Sequence, residues 1–203
     1  MTPDTRERIR TAALGAFCEK GYSASVDDIA QRAGVVKQTL YHHFGSKDNL
    51  FHEALKGLAD DLLVELERRA GSLRDALLGF GATYRAKAMC EQGLALHRMM
   101  MAESPRFPEL SEAVYQAGSA VAWRGLGKML KEAMRRGELR RDDPDFAADM
   151  LMSMLSGQER SRRLFGASVE SDDAPDRLEQ IVDCFLRAYA RAQPPDRARG
   201  TQR

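Results

Sequence analysis

The sequence predicts an all-α protein in which a small N-terminal domain of three helices precedes a larger helical domain. Residues that favour helices, chiefly Ala, Leu, Arg, Glu and Met, are abundant in the 203-residue chain, whereas Val, Ile and Thr are sparse. No alternation of apolar and polar residues persists long enough to indicate a strand. Breaks that contain glycine or proline divide the chain into segments of helical length and set the predicted helix boundaries.

Four helices are predicted in the first third of the chain. They cover about residues 3–20, a short segment between Ser25 and Gly34, residues 37–43, and a segment that Gly45 and Ser46 introduce and that runs to about residue 70. Apolar side chains recur at helical spacing in the first segment, and Gly21 follows its end. Ser25 is placed to cap the second helix, and Gly34 can adopt the positive φ that ends it.

The next two helical segments cover about residues 73–102 and 109–136. The first of these is either one helix or two helices with a bend near Gln92 and Gly93. Two prolines in the stretch 104–108 exclude that stretch from a helix interior. The segment 109–136 is predicted as one long helix.

Two further helices are predicted at about residues 144–165 and 175–191. Asp143 has the chemistry of a helix cap, and Pro144 is then at the first helical position, where proline is favoured. The acidic segment 166–174 is predicted as a loop, and the Pro- and Arg-rich tail 193–203 as disordered.

Residues 25–50 have the pattern of a helix-turn-helix that binds DNA. Gly34 allows a tight turn between the two helices, and Leu40 and Phe44 stand four residues apart, so both face inward. Five other side chains of the third helix spread over its outward surface. They are Lys37, Gln38, Thr39, Tyr41 and His42.

The chemistry of this outward surface suits the major groove of DNA. Gln38 can form two hydrogen bonds with adenine, the methyl group of Thr39 can contact thymine, and Lys37 can bind guanine or a phosphate. Side chains suited to phosphate oxygens are Tyr41, His42 and Lys47. Because the net charge of the chain is only +1, attraction to DNA must come from such a local patch.

A set of short motifs in this region carries a family resemblance. The motifs are Gly21-Tyr22, Ser25-Val26-Asp27-Asp28-Ile29-Ala30, Ala33-Gly34-Val35, Lys37, Thr39-Leu40-Tyr41-His42, Phe44 and Ser46-Lys47. With them, residues 5–52 resemble the N-terminal DNA-binding domain of TetR-family transcriptional regulators. The resemblance implies a homodimer with a helix-turn-helix domain in residues 1–50 and a ligand-binding and dimerisation domain in residues 51–192. It also implies a double-stranded DNA operator and, usually, repression that a small-molecule effector relieves.

The sequence departs from the usual family pattern at four positions. Val36 stands where Ser or Thr commonly caps the third helix, and Gln38, His43 and Asn49 replace residues that are frequent in the family. Val36 has no side-chain acceptor for an amide, so we expect it to contact a thymine methyl, while Gln38 adds a base contact. The predicted DNA-contact residues are Ser25, Val36, Lys37, Gln38, Thr39, Tyr41, His42 and Lys47.

A second and weaker resemblance covers about residues 95–165. It is carried by His97-Arg98, the segment 102–110, Arg136-Gly137-Glu138-Leu139 and Asp143-Pro144. These residues resemble the C-terminal domain of the AcrR- and AefR-like branch of the family. That branch is associated with efflux and stress genes, so the resemblance implies targets of this kind and leaves the effector unnamed.

The larger domain carries methionines and aromatic residues that suit an adaptable wall for a lipophilic ligand. The predicted ligand contacts are Met89, Leu96, His97, Met100, Met101, Phe107, Tyr115, Trp123 and Met150. The alternative for each methionine is core packing, because Met also fills irregular cores. Apolar stripes on the last two helices are expected, by the resemblance, to form a four-helix dimer interface. Their members are Ala147, Met150, Leu151, Met154, Leu155, Ile181, Phe185 and Leu186.

Other classes of function lack support in the sequence. No motif of nucleophilic catalysis or nucleotide binding occurs, so neither an enzyme nor a cofactor is predicted. Cys90 and His97 lack a third ligand, so no metal site is predicted. The chain has neither an apolar run of about 20 residues nor an export signal, and a cytoplasmic protein that does not enter the membrane is expected. An activator and a protein whose N-terminal domain no longer binds DNA stay open as alternatives.

Overall fold

The computed structural model describes residues 4–55, 60–67, 71–167, 174 and 176–191. Within these residues the chain forms eleven α-helices and no strand, which confirms the all-α prediction. The helices are α1 Thr5–Lys20, α2 Val26–Ala33, α3 Lys37–Phe44, α4 Lys47–Leu55, α5 Asp60–Glu67, α6 Leu73–Met89, α7 Glu91–Glu103, α8 Pro108–Ala117, α9 Ser119–Arg136, α10 Pro144–Leu164 and α11 Arg177–Ala188. A short 3₁₀ helix, Gly21–Ser23, follows α1.

Local signals set the ends of the first helices as predicted. The Ser25 hydroxyl accepts the backbone N–H of Asp28 at 3.1 Å and so caps α2. Gly34 ends α2 with left-handed backbone angles, φ 65° and ψ 40°. Val36 precedes α3 and makes no side-chain capping bond, as its chemistry requires. The Ser46 hydroxyl accepts a backbone N–H of α4 at 3.0 Å.

The helical backbone is interrupted between α6 and α7 at Cys90, where φ is −67° and ψ is 160°. Of the two alternatives for residues 73–102, two helices is therefore correct, and the break lies two residues before the predicted bend. The Cys90 thiol accepts the backbone N–H of Gly93 at 3.4 Å. A cysteine thus caps α7 in the manner usual for serine.

The prediction of one helix over residues 109–136 is wrong, because Gly118 divides this segment into α8 and α9. Its backbone angles, φ −114° and ψ −92°, lie outside the helical region. Glycine is a weak helix former, so a break costs less at Gly118 than at the residues on either side of it. Within α10, Gly157 also leaves helical geometry, with φ 34° and ψ −141°.

The start of α10 agrees with its prediction. The Asp143 carboxylate accepts the backbone N–H groups of Asp145 and Phe146 at 2.9 and 3.3 Å, and Pro144 occupies the first helical position. Several predictions lie outside the described residues. They concern the disordered tail 193–203, most of the loop 166–174 and the continuity of the fourth helix across residues 56–59 and 68–70.

Two clusters of buried apolar residues form the interior. The first cluster unites α1 to α4, which we call the head, and also takes in Met99 of α7 and Val114 of α8. The second cluster unites α6, α9, α10 and α11. The first cluster therefore extends past residue 50, where the sequence placed a domain boundary, and α7 and α8 fasten the head to the larger domain.

The residues predicted to form the dimer interface fall into two groups, one fully buried within the subunit and one only partly buried. Four of their members have no exposed surface within the single subunit and belong to the second cluster; they are Ala147, Leu151, Leu155 and Phe185. These four residues stabilise the subunit itself. One side of each apolar stripe faces the core of the subunit, and the other side faces outward. Met150, Met154, Ile181 and Leu186 are only partly buried.

Candidate nucleic-acid interface

Helix α3 has one buried face and one exposed face. Leu40 and Phe44 lie in the first cluster, as their spacing predicts. An eight-residue helix is too short to be stable alone, so this packing holds it in place. The exposed predicted contacts on α3 are Lys37, Gln38, Tyr41 and His42, while Thr39 is half-buried. Val36 precedes the helix with 67% of its surface exposed.

Arg8 of α1 binds the backbone of the turn between α2 and α3. The Arg8 guanidinium donates hydrogen bonds to the carbonyl oxygens of Ala33 and Gly34, at 2.5 and 3.1 Å. The backbone N–H of Val35 donates to the carbonyl of Ala30 at 3.0 Å. Arg8 was not among the predicted site residues. The only sequence signal for its contact with the turn is its position next to Ile9, which faces inward. Arg8 therefore links α1 to the backbone at the end of α2 and the start of the turn.

Lys37 already has a partner inside the head. Its ammonium group lies 3.0 Å from the Asp27 carboxylate, and this hydrogen bond and charge raise the pKa of Lys37 above its usual value. Both side chains are largely exposed, so the pair contributes little to stability. A phosphate or a guanine must compete with Asp27 for the Lys37 ammonium.

Lys47 lies against an aromatic ring instead of extending into solvent. Its ammonium nitrogen is 4.5 Å from the centre of the Tyr22 ring, a distance typical of a cation–π contact. Partial burial lowers the pKa of Lys47. The Tyr22 hydroxyl donates a hydrogen bond to the Asp48 carboxylate, so Tyr22 contacts both of the first two residues of α4.

Tyr22 also joins the head to the larger domain. Its ring lies 5.4 Å from that of Phe51 within the head and 5.2 Å from that of Phe107, in the segment between α7 and α8. The Glu103 carboxylate approaches Gly21 so closely that a Cβ atom there would lie 2.6 Å from an Oε1 oxygen. The end of α7 therefore lies against the 3₁₀ helix that contains Tyr22, the residue that contacts Lys47.

The structure does not bring the predicted ligand contacts to a single surface. Leu96 and Met100 pack against the first cluster, whereas Trp123 and Met150 pack against the second. Met101 and Tyr115 are exposed, and the other seven members are half-buried; besides the four just named these are Met89, His97 and Phe107. The set as a binding wall stays a prediction, and core packing accounts for several of its members.

A groove of about 720 Å³ lies between α5, α6 and α9. Its apolar side includes Leu63, Leu66, Leu73 and Met129, and its charged side includes Lys128, Glu132, Arg136 and Glu138. Its volume is that of a site for a small molecule. None of the predicted ligand contacts is among the described residues that line it.

Two family descriptions match the chain. Residues 9–54 match the family described as bacterial regulatory proteins, tetR family. Residues 75–191, more than half of the chain, match the description AefR-like transcriptional repressor, C-terminal domain. The chain belongs to the TetR family. Both resemblances stated from the sequence are thereby confirmed.

Relatives and solved structures agree with this assignment. The transcriptional repressor KstR2 from Rhodococcus jostii is 31% identical over 115 residues, which cover 53% of this chain and 56% of KstR2. The regulator YezE from Bacillus subtilis is 28% identical over 86% of this chain and 90% of its own length. A TetR-family regulator from Mesorhizobium loti has a TM-score of 0.79 at 28% identity, over 92% and 97% of the two chains. The flavonoid-responsive regulator FrrA has a TM-score of 0.72 at 31% identity, over 93% and 98%.

Membership of the family establishes a DNA-binding transcriptional regulator. TetR-family regulators bind DNA operators and are dimers, and these relatives are regulators, not enzymes. In the part of the chain that the structure describes, no helix has the length and apolar character to cross a membrane. The same residues contain no group of three His, Cys, Asp or Glu side chains placed to hold a metal.

Proposed function

We propose that this TetR-family chain is a homodimeric repressor of a palindromic operator and that a small lipophilic effector releases it. The observation that carries the proposal is α3, which buries Leu40 and Phe44 and exposes polar side chains suited to the major groove. The AefR-like match of the larger domain supports efflux or stress genes as targets, since that branch is associated with them.

The contacts divide into two kinds. Val36, Gln38 and Thr39 read bases, and the phosphate contacts are Ser25, Tyr41, His42 and Lys47. Lys37 reaches a guanine or a phosphate once it leaves Asp27. Two heads related by a two-fold axis then meet half-sites about one helical turn apart, which requires a palindrome.

Helices α10 and α11 supply the proposed dimer interface. Phe146 of α10 is 57% exposed and Phe165, at the end of α10, is 88% exposed. Exposed aromatic rings of this size are favoured at interfaces. The partly buried members of the predicted stripes join them, while the fully buried members stay in the subunit core.

The effector acts through α7 and the segment after it. Effector binding that moves α7 displaces Phe107 and Glu103, and both lie against the 3₁₀ helix that contains Tyr22. An effector changes operator affinity only by binding one arrangement of the heads better than the other, typically by about 1 to 3 kcal/mol. The relative FrrA is flavonoid-responsive, which supports a lipophilic aromatic molecule as effector.

Fluorescence anisotropy with labelled duplexes from the DNA next to the gene tests the repressor proposal. Wild-type protein should bind one fragment specifically. We expect Gln38→Ala to lose about 1 to 3 kcal/mol of discrimination at one base pair of each half-site. Tyr41→Phe should weaken all sequences alike, and the control Arg135→Ala, at the exposed end of α9, should change nothing. Wild-type binding that never exceeds non-specific binding at any salt concentration would overturn the proposal.

A further inference from the structure

A polar cluster lies inside the larger domain, where α6, α7 and α10 meet. Its members are Tyr84, Arg85, His97, Glu159, Arg160 and Arg163. Glu159 is 2% exposed and accepts hydrogen bonds from Arg85 at 2.6 Å and from Arg163 at 3.1 Å. The cluster thus holds three arginines and one carboxylate, which pairs with two of them, and it has an excess of positive charge.

Among the described ion pairs, Arg160 has none with the Glu159 carboxylate. Its Nη2 donates to the Tyr84 hydroxyl at 2.8 Å, and within the described residues no carboxylate lies within 4 Å of its guanidinium. The Nε of Arg160 is buried and donates to no described acceptor. A buried donor without an acceptor is costly, and so is a partly buried charge without a counter-charge. The Nε and Nη2 atoms form one edge of the guanidinium, the edge that binds a carboxylate with two hydrogen bonds.

His97 of α7 lies near enough to Arg160 for the two groups to interact electrostatically. Burial lowers the pKa of His97, and the nearby charge of Arg160 lowers it further, so the imidazole is neutral at pH 7. A neutral imidazole retains one N–H. Guanidinium, phenol and imidazole therefore lie together, and what they lack is a group that accepts hydrogen bonds and carries negative charge.

We propose that Arg160, together with Tyr84 and His97, binds the carboxylate of an apolar effector. The inference rests on the proposed function for the existence of an effector and adds its chemical class, a monocarboxylate with a hydrophobic body. The side chains next to the cluster are apolar: the Phe80 ring lies 6.0 Å from that of Tyr84, and Phe80 and Leu155 are both fully buried in the second cluster. A bound carboxylate supplies the acceptor and the counter-charge that Arg160 lacks.

The place of the cluster suits transmission to the head. Arg98, next to His97 on α7, donates to the carbonyl oxygens of Arg163 and Leu164 at 3.2 and 3.4 Å. Met99, the following residue, is buried in the first cluster with the head. A carboxylate that draws His97 towards Arg160 therefore moves the helix that anchors Met99.

Tryptophan fluorescence of the full-length protein tests the inference without a label, since Trp123 is the only tryptophan in the chain. The probes are two matched pairs, 2-naphthoate with 2-naphthalenemethanol and decanoate with decanol. We expect the wild type to bind at least one carboxylate ten or more times more tightly than its neutral partner. Arg160→Met keeps the length of the side chain and should abolish that preference. The control Arg135→Met, at an exposed arginine of α9, should retain it.

Two milder variants cover the case in which Arg160→Met fails to fold. Tyr84→Phe keeps the ring and removes the hydroxyl, and should weaken carboxylate binding severalfold. Arg160→Lys keeps the charge and should retain the preference for the anion at reduced affinity. The inference is overturned if the wild type binds neither carboxylate, or if carboxylate affinity is unchanged in a folded Arg160→Met or, failing that, in Tyr84→Phe. Operator binding measured without a probe separates the two proposals, because its absence in the wild type overturns the repressor proposal alone.

Discussion

Charge is arranged differently around the two buried clusters of this TetR-family chain. The ion pairs around the first cluster lie at the surface; among them are Arg6–Glu53, Arg32–Glu19 and Lys37–Asp27. In the second cluster, by contrast, Glu159 is buried with Arg85, and Arg160 has no carboxylate partner among the described residues. The head excludes charge from its interior, and the larger domain encloses it.

This difference separates two tasks. Surface ion pairs contribute little to stability, so Lys37 can exchange Asp27 for DNA at small cost while apolar packing keeps the head in shape. A buried polar cluster is stable only when each member has its partner, so its energy changes greatly with what occupies it. The head thus keeps its charges at the surface, and the polar cluster of the larger domain is where we propose that an effector binds.

The largest expected effect comes from removing the buried carboxylate. Glu159→Ala removes the buried carboxylate that Arg85 and Arg163 share and should lower the free energy of unfolding by about 3 kcal/mol, measured by urea denaturation. The control Glu132→Ala removes the exposed partner of Arg135 and should have no measurable effect. A loss at Glu159 as small as that of the control would remove the contrast between the clusters.

The next effect tests whether the head excludes charge from its interior. Burial raises the pKa of the Cys18 thiol to about 11, so at pH 8 only a very small fraction is thiolate. Because the thiolate is the nucleophile, Cys18 should react with iodoacetamide at least about tenfold more slowly than the exposed Cys184, as followed by peptide mass spectrometry. Equal rates for the two thiols would contradict an effect of the partial burial of Cys18 on its pKa.

A smaller effect is expected at the turn that positions α3. Gly34→Ala places a Cβ at positive φ and 3.1 Å from the Arg8 guanidinium, and should destabilise the protein by about 1 to 2 kcal/mol. Gly15→Ala, in the middle of α1, is the matched control, since nothing lies within 4 Å of the Cβ that it adds. That change should stabilise the protein by about 0.5 to 1 kcal/mol, because alanine favours a helix. Thermal unfolding measures both, and changes of the same sign would be inconsistent with this account of the turn.

The smallest effect concerns the exposed pair of the head. Asp27→Asn removes the competitor for Lys37 and should raise operator affinity about two- to threefold, whereas Lys37→Ala should reduce the slope of log affinity against log salt by about one. Anisotropy titrations at several salt concentrations measure both values. An unchanged slope in Lys37→Ala would show that Lys37 remains with Asp27 in the complex.

Sequence signals that act over a few residues predicted much of the fold. Ser25 and Asp143 cap the helices that follow them, and Gly34 ends α2, because each acts on a backbone group within three residues or on its own φ. Gly118 was missed, since a glycine inside a helical pattern is often tolerated and only the packing of the two resulting helices decides the break. The same holds for Cys90, which is an unusual cap.

In the candidate site, too, features set by nearby residues could be predicted and contacts between distant residues could not. The outward surface of α3 could be predicted, because the spacing of Leu40 and Phe44 fixes the inward face. The contacts of Arg8 and Arg160 could not, because their partners lie 25 and 76 residues away along the chain. Such pairs depend on how helices cross, and no pattern of a single helix contains that information.

The burial of Met99 and Val114 among the side chains of α1 to α4 bears on how such regulators are recombined. A chimera that joins residues 1–50 of this chain to a foreign sensor domain divides a hydrophobic core, because the donor of the sensor must also fill the places of these two side chains. New pairings of operator and inducer are therefore easiest between proteins whose α7 and α8 present matching residues. The unit of exchange is the first cluster, not the stretch of sequence that contacts DNA.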